Sequence, residues 1–152
     1  MVSLEGEVGD RGCVVHIEVR SSATDEFPSL RDRASAVCSA IIDTGADVSC
    51  ITPEVVERLG LEAHEADLVF TPGGPAEGID VFAYRIEVAL IEGRPGPSSK
   101  RVWLPLPVRV LELQLRDGPV SALIGRDVLS WLRLTYDGPQ ARFSITSDEL
   151  SS

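Results

Sequence analysis

Short apolar runs, broken by polar segments that carry glycine and proline, set the pattern of this chain. Residues 14–19, Val-Val-His-Ile-Glu-Val, are rich in β-branched side chains and predict a strand. A polar connection over 21–35 leads into a second predicted strand, Ala36 to Ile42. Thr52-Pro53-Glu54 reads as a helix start, with an N-cap, a proline at the first position and an acid in the first turn. That helix is short: Val55, Val56 and Leu59 form its apolar side and Gly60 its stop. Residues 67–70 and 79–84 predict two strands around the glycine- and proline-rich segment 71–78, a hairpin with an open tip.

Residues 86–91 continue the second arm of that hairpin, and a polar loop follows from Glu92 to Lys100. Residues 102–115 read as one long β segment with Leu104, Leu106, Val108, Val110 and Glu112 on one face. Pro105 and Pro107 make part of it an edge or a bulge. Val128, Leu129 and Leu132 fall on one side of a short helix, and 134–139 with 142–145 predict a terminal hairpin turning at Asp137-Gly138. The chain therefore reads as all-β with two short helices. A single domain is expected, with its core over about 13–146 and tails at 1–12 and 147–152.

At 152 residues, with 43% hydrophobic and 25% charged side chains, a sizeable buried core is possible. No apolar run reaches the roughly 18 residues that span a bilayer. The acidic first twelve residues lack a basic-then-apolar signal pattern, so a cytoplasmic location is expected. The net charge of −10 argues against phosphate backbones and anionic lipid as partners, so neither nucleic acid nor membrane is expected. Cys13, Cys38 and Cys50 are too few and too scattered for a disulfide framework and suit a reducing compartment. Cys13 and His16 should point to opposite faces of one strand, and His64 is the only other histidine. No metal or other cofactor is expected.

The candidate chemistry sits in Ala40-Ile41-Ile42-Asp43-Thr44-Gly45-Ala46-Asp47, where an apolar strand ends in a carboxylate at the mouth of a turn. Asp43 and Thr44 can bond to nearby backbone, and Gly45 lets backbone approach closely. About eighty residues later, Ala122-Leu123-Ile124-Gly125-Arg126-Asp127-Val128-Leu129 steps from two apolar residues through a glycine into a helical pattern. Together these segments resemble the retropepsin-like aspartic proteases over roughly residues 36–146.

The resemblance implies a closed, barrel-like β fold with Asp43 catalytic, a flap hairpin over the substrate and a short helix after Gly125-Arg126. It implies that Thr44, Gly45, Ala46, Asp47, Gly73, Gly74, Leu123, Ile124, Gly125 and Arg126 bind substrate or support the catalytic loop. It further implies that Thr44 bonds across a dimer and that Asp47 pairs with Arg126, which would leave a partly buried charge if Arg126 were removed. Ser49, Cys50 and Ile51 are expected to line or underlie the pocket wall, with Cys50 a buried thiol rather than a nucleophile.

Peptide hydrolysis by carboxylates needs two of them around one water, one taking its proton and the other donating to the scissile carbonyl. The chain has a single Asp-Thr-Gly. Neither Asp127 nor Asp137 repeats the motif, so the second carboxylate is expected from Asp43 of another subunit in a two-fold homodimer. The expected function is an aspartic endopeptidase acting on a peptide or protein. The alternative is a dimeric peptide-binding or interaction module without catalysis on the same fold. Of the segments that might join the subunits, 143–145 is expected to serve better than the first twelve residues.

Overall fold

A computed structural model describes residues 2–22, 34–63, 65–115 and 118–150. The connection expected over 21–35 falls largely outside them, as does His64. Among the described residues are eleven strands and two short helices. In chain order the first four strands are β1 (Val2–Gly9), β2 (Gly12–Ser21), β3 (Ser35–Ile42) and β4 (Cys50–Ile51), followed by helix α1 (Pro53–Leu59). Then come β5 (Glu65–Val69), β6 (Ile79–Ile91), β7 (Arg101–Trp103), β8 (Val108–Glu112) and β9 (Val120–Ile124). Helix α2 (Arg126–Leu129), β10 (Arg133–Asp137) and β11 (Arg142–Ser147) complete the order.

Six strands close on themselves. β2 pairs with β3, β3 with β9, β9 with β4, β4 with β8, β8 with β6, and β6 returns to β2. This closed β barrel removes most free edges and gives alternate residues an inside. In β2, Cys13, Val15, Ile17 and Val19 are buried while His16 and Glu18 lie on the other face. Cys13 and His16 are thus separated by the pleat, as their spacing predicts. Ile17, Ile51, Ile86, Leu90, Val102 and Val110 are among the largest side chains sealed inside. Burial of such residues contributes roughly 1.5–3 kcal/mol each relative to exposure.

The 13-residue β6 serves two neighbourhoods. Its first half pairs with β5 as the predicted hairpin, and its second half pairs with β2 and β7 in the barrel wall. The segment 102–115 does not form one strand. It breaks into β7 and β8 because Pro105 and Pro107 lack the N–H groups a ladder needs. Leu104 remains buried, but Leu106 in the gap is exposed rather than sharing the face of Val110.

Thr52 occupies the N-cap of α1, yet its side chain makes no capping bond; its carbonyl instead accepts the Val55 and Val56 N–H groups. Gly60 ends the helix in the left-handed conformation at φ 60°.

Residues 2–9, read as part of a tail, form a strand instead. β1 pairs along Val2–Glu7 with β11, and β11 pairs on its other side with β10. Val2 and Leu4 are buried there, and a Cβ on Gly6 would lie 2.6 Å from the Phe143 ring. Leu150 is also buried, so the C-terminal side packs past 146. The terminal hairpin turns through Gly138–Ala141, with Ala141 rather than Gly138 at positive φ.

Candidate active site

β9 runs parallel to β3 on one side and antiparallel to β4 on the other. The chain leaves β3 at Ile42, crosses in front of β9 as a loop, and returns as β4. Asp43 sits where that crossing begins. Its N–H donates to the Ile124 carbonyl at 2.9 Å, its carbonyl accepts the Ala46 N–H at 3.2 Å, and its Oδ1 accepts the Gly45 N–H at 2.9 Å. The half-buried carboxylate is therefore fixed by its own turn. Asp43, Thr44, Gly45 and Ala46 form one loop, closed below by Leu123, Ile124 and Gly125. Gly125 is required by contact: a Cβ there would lie 2.9 Å from the Ala46 carbonyl oxygen and from the Val48 carbonyl carbon.

Arg126 opens α2 and turns back towards the loop. Its N–H donates to the Ala46 carbonyl at 2.9 Å and its Nη1 to the Thr44 carbonyl at 2.8 Å, while Nη2 contacts Asp47 Oδ1. The expected Asp47–Arg126 pair is present. In the single chain the two side chains are 79% and 55% exposed. Such a pair contributes about 0–1 kcal/mol.

The buried polar support lies one residue further along. Ser49, only 2% exposed, donates its Oγ–H to Asp127 Oδ1 at 2.6 Å and its N–H to Asp127 Oδ2 at 3.0 Å. The same Ser49 Oγ accepts the Gly125 N–H at 2.9 Å. Asp127 Oδ1 also accepts its neighbour's Val128 N–H at 2.8 Å. This network ties the exit of the Asp43 loop to α2. The sequence left Asp127 as a rejected second acid, and only its adjacency to Gly125-Arg126 hinted at a supporting role.

The hairpin of β5 and β6 carries the flap candidates. Its tip makes two successive turns, with the Gly74 N–H bonded to the Thr71 carbonyl and the Gly78 N–H to the Pro75 carbonyl, both at 3.0 Å. Gly73 adopts φ 74° and is exposed with Gly74. Gly74 bonds within the tip rather than to the Asp43 loop. The register divides the hairpin into two faces. Val69 and Val81 join Cys50, Ala83 and Leu111 in a small apolar cluster that also includes Val48, Leu113 and Leu123. Leu68, Phe70 and Phe82, on the opposite face, are exposed.

At the hairpin's base, Arg109 of β8 holds Glu65 and Asp67 together, and its bond to Asp67, with the Leu68 N–H, keeps that carboxyl below its usual range. Burial pushes the Cys50 thiol up to about 11, helped by the charges of Asp127 and Asp43. That keeps it protonated at neutral pH, the opposite of a nucleophile's requirement. Ser49 and Ile51 are buried beside it.

No helix among the described residues is long and apolar enough to cross a membrane. Among those residues, no group of three or more His, Cys, Asp or Glu side chains lies together in a metal-binding arrangement.

A closed barrel with an Asp-Thr-Gly turn packed on a Gly-Arg helix start, beside a β-hairpin, defines the retropepsin-like class of aspartic proteases. The aspartyl protease family model matches residues 34–128, and the chain belongs to that family. Among solved structures it resembles a retropepsin-like aspartic protease from Rickettsia conorii, with a TM-score of 0.51 and 12% sequence identity. That match covers 99% of this chain and 94% of the other. No curated protein sequence matches the chain.

Proposed function

We propose that the protein is an aspartic endopeptidase whose active site is completed by two copies of Asp43, one from each subunit of a homodimer. The observation that carries this reading is a half-buried, hydrogen-bonded Asp43 in a loop whose Thr44, Gly45 and Asp47 lie exposed in the single chain. One carboxylate accepts a proton from the water as it attacks the scissile carbonyl. The other, protonated, donates to the developing oxyanion. Collapse of the tetrahedral intermediate breaks the C–N bond as a proton passes to the leaving nitrogen. Gly45 leaves backbone accessible to an extended peptide, and Ala46 keeps the cleft open.

The hairpin carrying Gly73 and Gly74 acts as the flap. Val69 on its inward face and Leu123 beneath it, both partly buried, offer an apolar wall to substrate side chains. Thr44 bridges to the partner's catalytic loop, and the Asp47–Arg126 pair holds that loop to α2. Free thiols at Cys13, Cys38 and Cys50 support a reducing compartment, the cytoplasm in our reading.

A mixed peptide pool, with and without an aspartic-protease inhibitor, tests the reading. Inhibitor-sensitive cleavage that disappears in Asp43→Asn is expected. Undiminished cleavage by the purified variant overturns the assignment, and no cleavage by the native chain favours a binding module.

A further inference from the structure

The β5–β6 hairpin has an apolar side that faces away from the small cluster around Val69 and Val81. Pairing sets Ala66 opposite Phe82 and Leu68 opposite Asp80, so these four share the outer face, while Asp67, Val69, Ile79 and Val81 share the inner one. On the outer side Leu68, Phe70 and Phe82 are 49%, 67% and 54% exposed. Leu68 lies over Gly78, where a Cβ would come within 2.9 Å of its Cδ1. From Ala66 to Phe70 the strip runs roughly 13 Å along the strand. The solvent face of an antiparallel hairpin ordinarily carries polar side chains, and a contiguous apolar strip there marks a contact surface.

Charge selects what fits it. From Leu59 to Tyr84 the sequence holds five acids, Glu62, Glu65, Asp67, Glu77 and Asp80, and no lysine or arginine. Arg109 engages Glu65 and Asp67, and Arg85 stands opposite Arg109, so both of these cations fall on the side of the inner face. Asp80 sits within the outer strip, beside Leu68 and two residues from Phe82, and Glu77 lies at the tip. Among the described residues neither acid is in an ion pair.

We propose that this outer face docks a segment of the substrate protein in which lysine or arginine alternates with apolar residues, away from the bond to be cut. Apolar side chains of the segment cover Leu68, Phe70 and Phe82, and its cations meet Asp80 and Glu77. The other face of the hairpin carries Val69 towards Leu123, so one hairpin meets the substrate protein at two places. The assignment deepens the endopeptidase reading and rests on it for the identity of the partner.

Fluorescence anisotropy of labelled peptides, with the Asp43→Asn chain so that cleavage does not intervene, tests the face at low ionic strength. A peptide alternating lysine with leucine should bind. Glutamate in place of lysine, or serine in place of leucine, should weaken binding about tenfold or more. Phe82→Ser and Asp80→Lys, each added to that chain, should weaken binding of the lysine–leucine peptide about fivefold or more. Asp80→Lys should also bind the glutamate–leucine peptide more tightly than the chain with Asp80 does. Ile79→Ser, on the inner face, should leave binding of the lysine–leucine peptide unchanged.

Equal binding of the three peptides overturns the docking face. So do equal losses in Ile79→Ser and Phe82→Ser, which would put the peptide in the cleft. Sedimentation without peptide covers the remaining occupant: if Phe82→Ser lowers self-association of the native chain, a second copy fills the strip and the proposal falls. A lysine–leucine peptide that binds this face, in a protein whose native chain cleaves nothing, leaves the docking face standing and overturns the endopeptidase reading alone.

Discussion

Removing the Ser49 hydroxyl should cost more stability than removing the more conspicuous Arg126 side chain. Ser49→Ala deletes the donor to Asp127 Oδ1 and the acceptor of the Gly125 N–H in a buried position. A hydrogen bond to a charged group contributes roughly 1.5–3 kcal/mol, and a buried donor left without a partner costs roughly 1–3 kcal/mol. Asp127 keeps the N–H groups of Ser49 and Val128, so these costs overlap. A net loss of roughly 2–4 kcal/mol follows. Arg126→Ala removes an exposed ion pair and a bond to the Thr44 carbonyl, for about 0–1 kcal/mol in the single chain. Urea unfolding of both variants, at concentrations too dilute for association, measures the two costs. Arg126→Ala costing more than Ser49→Ala would refute the claim that the buried Ser49–Asp127 network is the main support of the loop.

Gly125→Ala forces a Cβ against the Ala46 and Val48 backbone and should cost roughly 1–3 kcal/mol, with proteolysis lost because the catalytic loop must shift. A variant with native Tm and activity contradicts that close approach. Burial holds the Cys38 and Cys50 thiols up to about 11, against an ordinary value of 9.0. The folded chain therefore keeps protons that the unfolded chain releases. Stability from this source is complete below about pH 9 and declines as pH rises towards about 11. Urea midpoints should fall between about pH 8 and about pH 10.5, and a level midpoint contradicts the burial of these thiols. Proteolytic activity should fall faster than linearly on dilution through the dimer's dissociation range, and strict proportionality by a monomer contradicts a shared site.

Much of the barrel could be read from local pattern, because β2, β3 and the β5–β6 hairpin are short apolar or β-branched runs set between clear turn signals. The Asp-Thr-Gly turn and the Gly-Arg step were legible for the same reason: each is a local sequence with a local conformation. β1 was missed although Val2, Leu4 and Val8 alternate. Its acids and glycines resemble a solvated tail until Phe143 covers Gly6. The division of 102–115 depended on whether two prolines would bend a strand or break it, which the surrounding packing decides. Ser49 and Asp127 lie 78 residues apart, and no local pattern brings them together. The exposure of Asp47 and Arg126 likewise depends on what surrounds them in three dimensions.

Subunit mixing tests the shared active site most directly. Native chain and Asp43→Asn chain are unfolded together in equal amounts, refolded, and assayed for peptide hydrolysis at fixed total protein. If one Asp43 from each subunit is needed, only native homodimers cleave, and activity falls to about one quarter of that of the native chain alone. Activity of about one half would show that each chain works by itself and would contradict the two-subunit site.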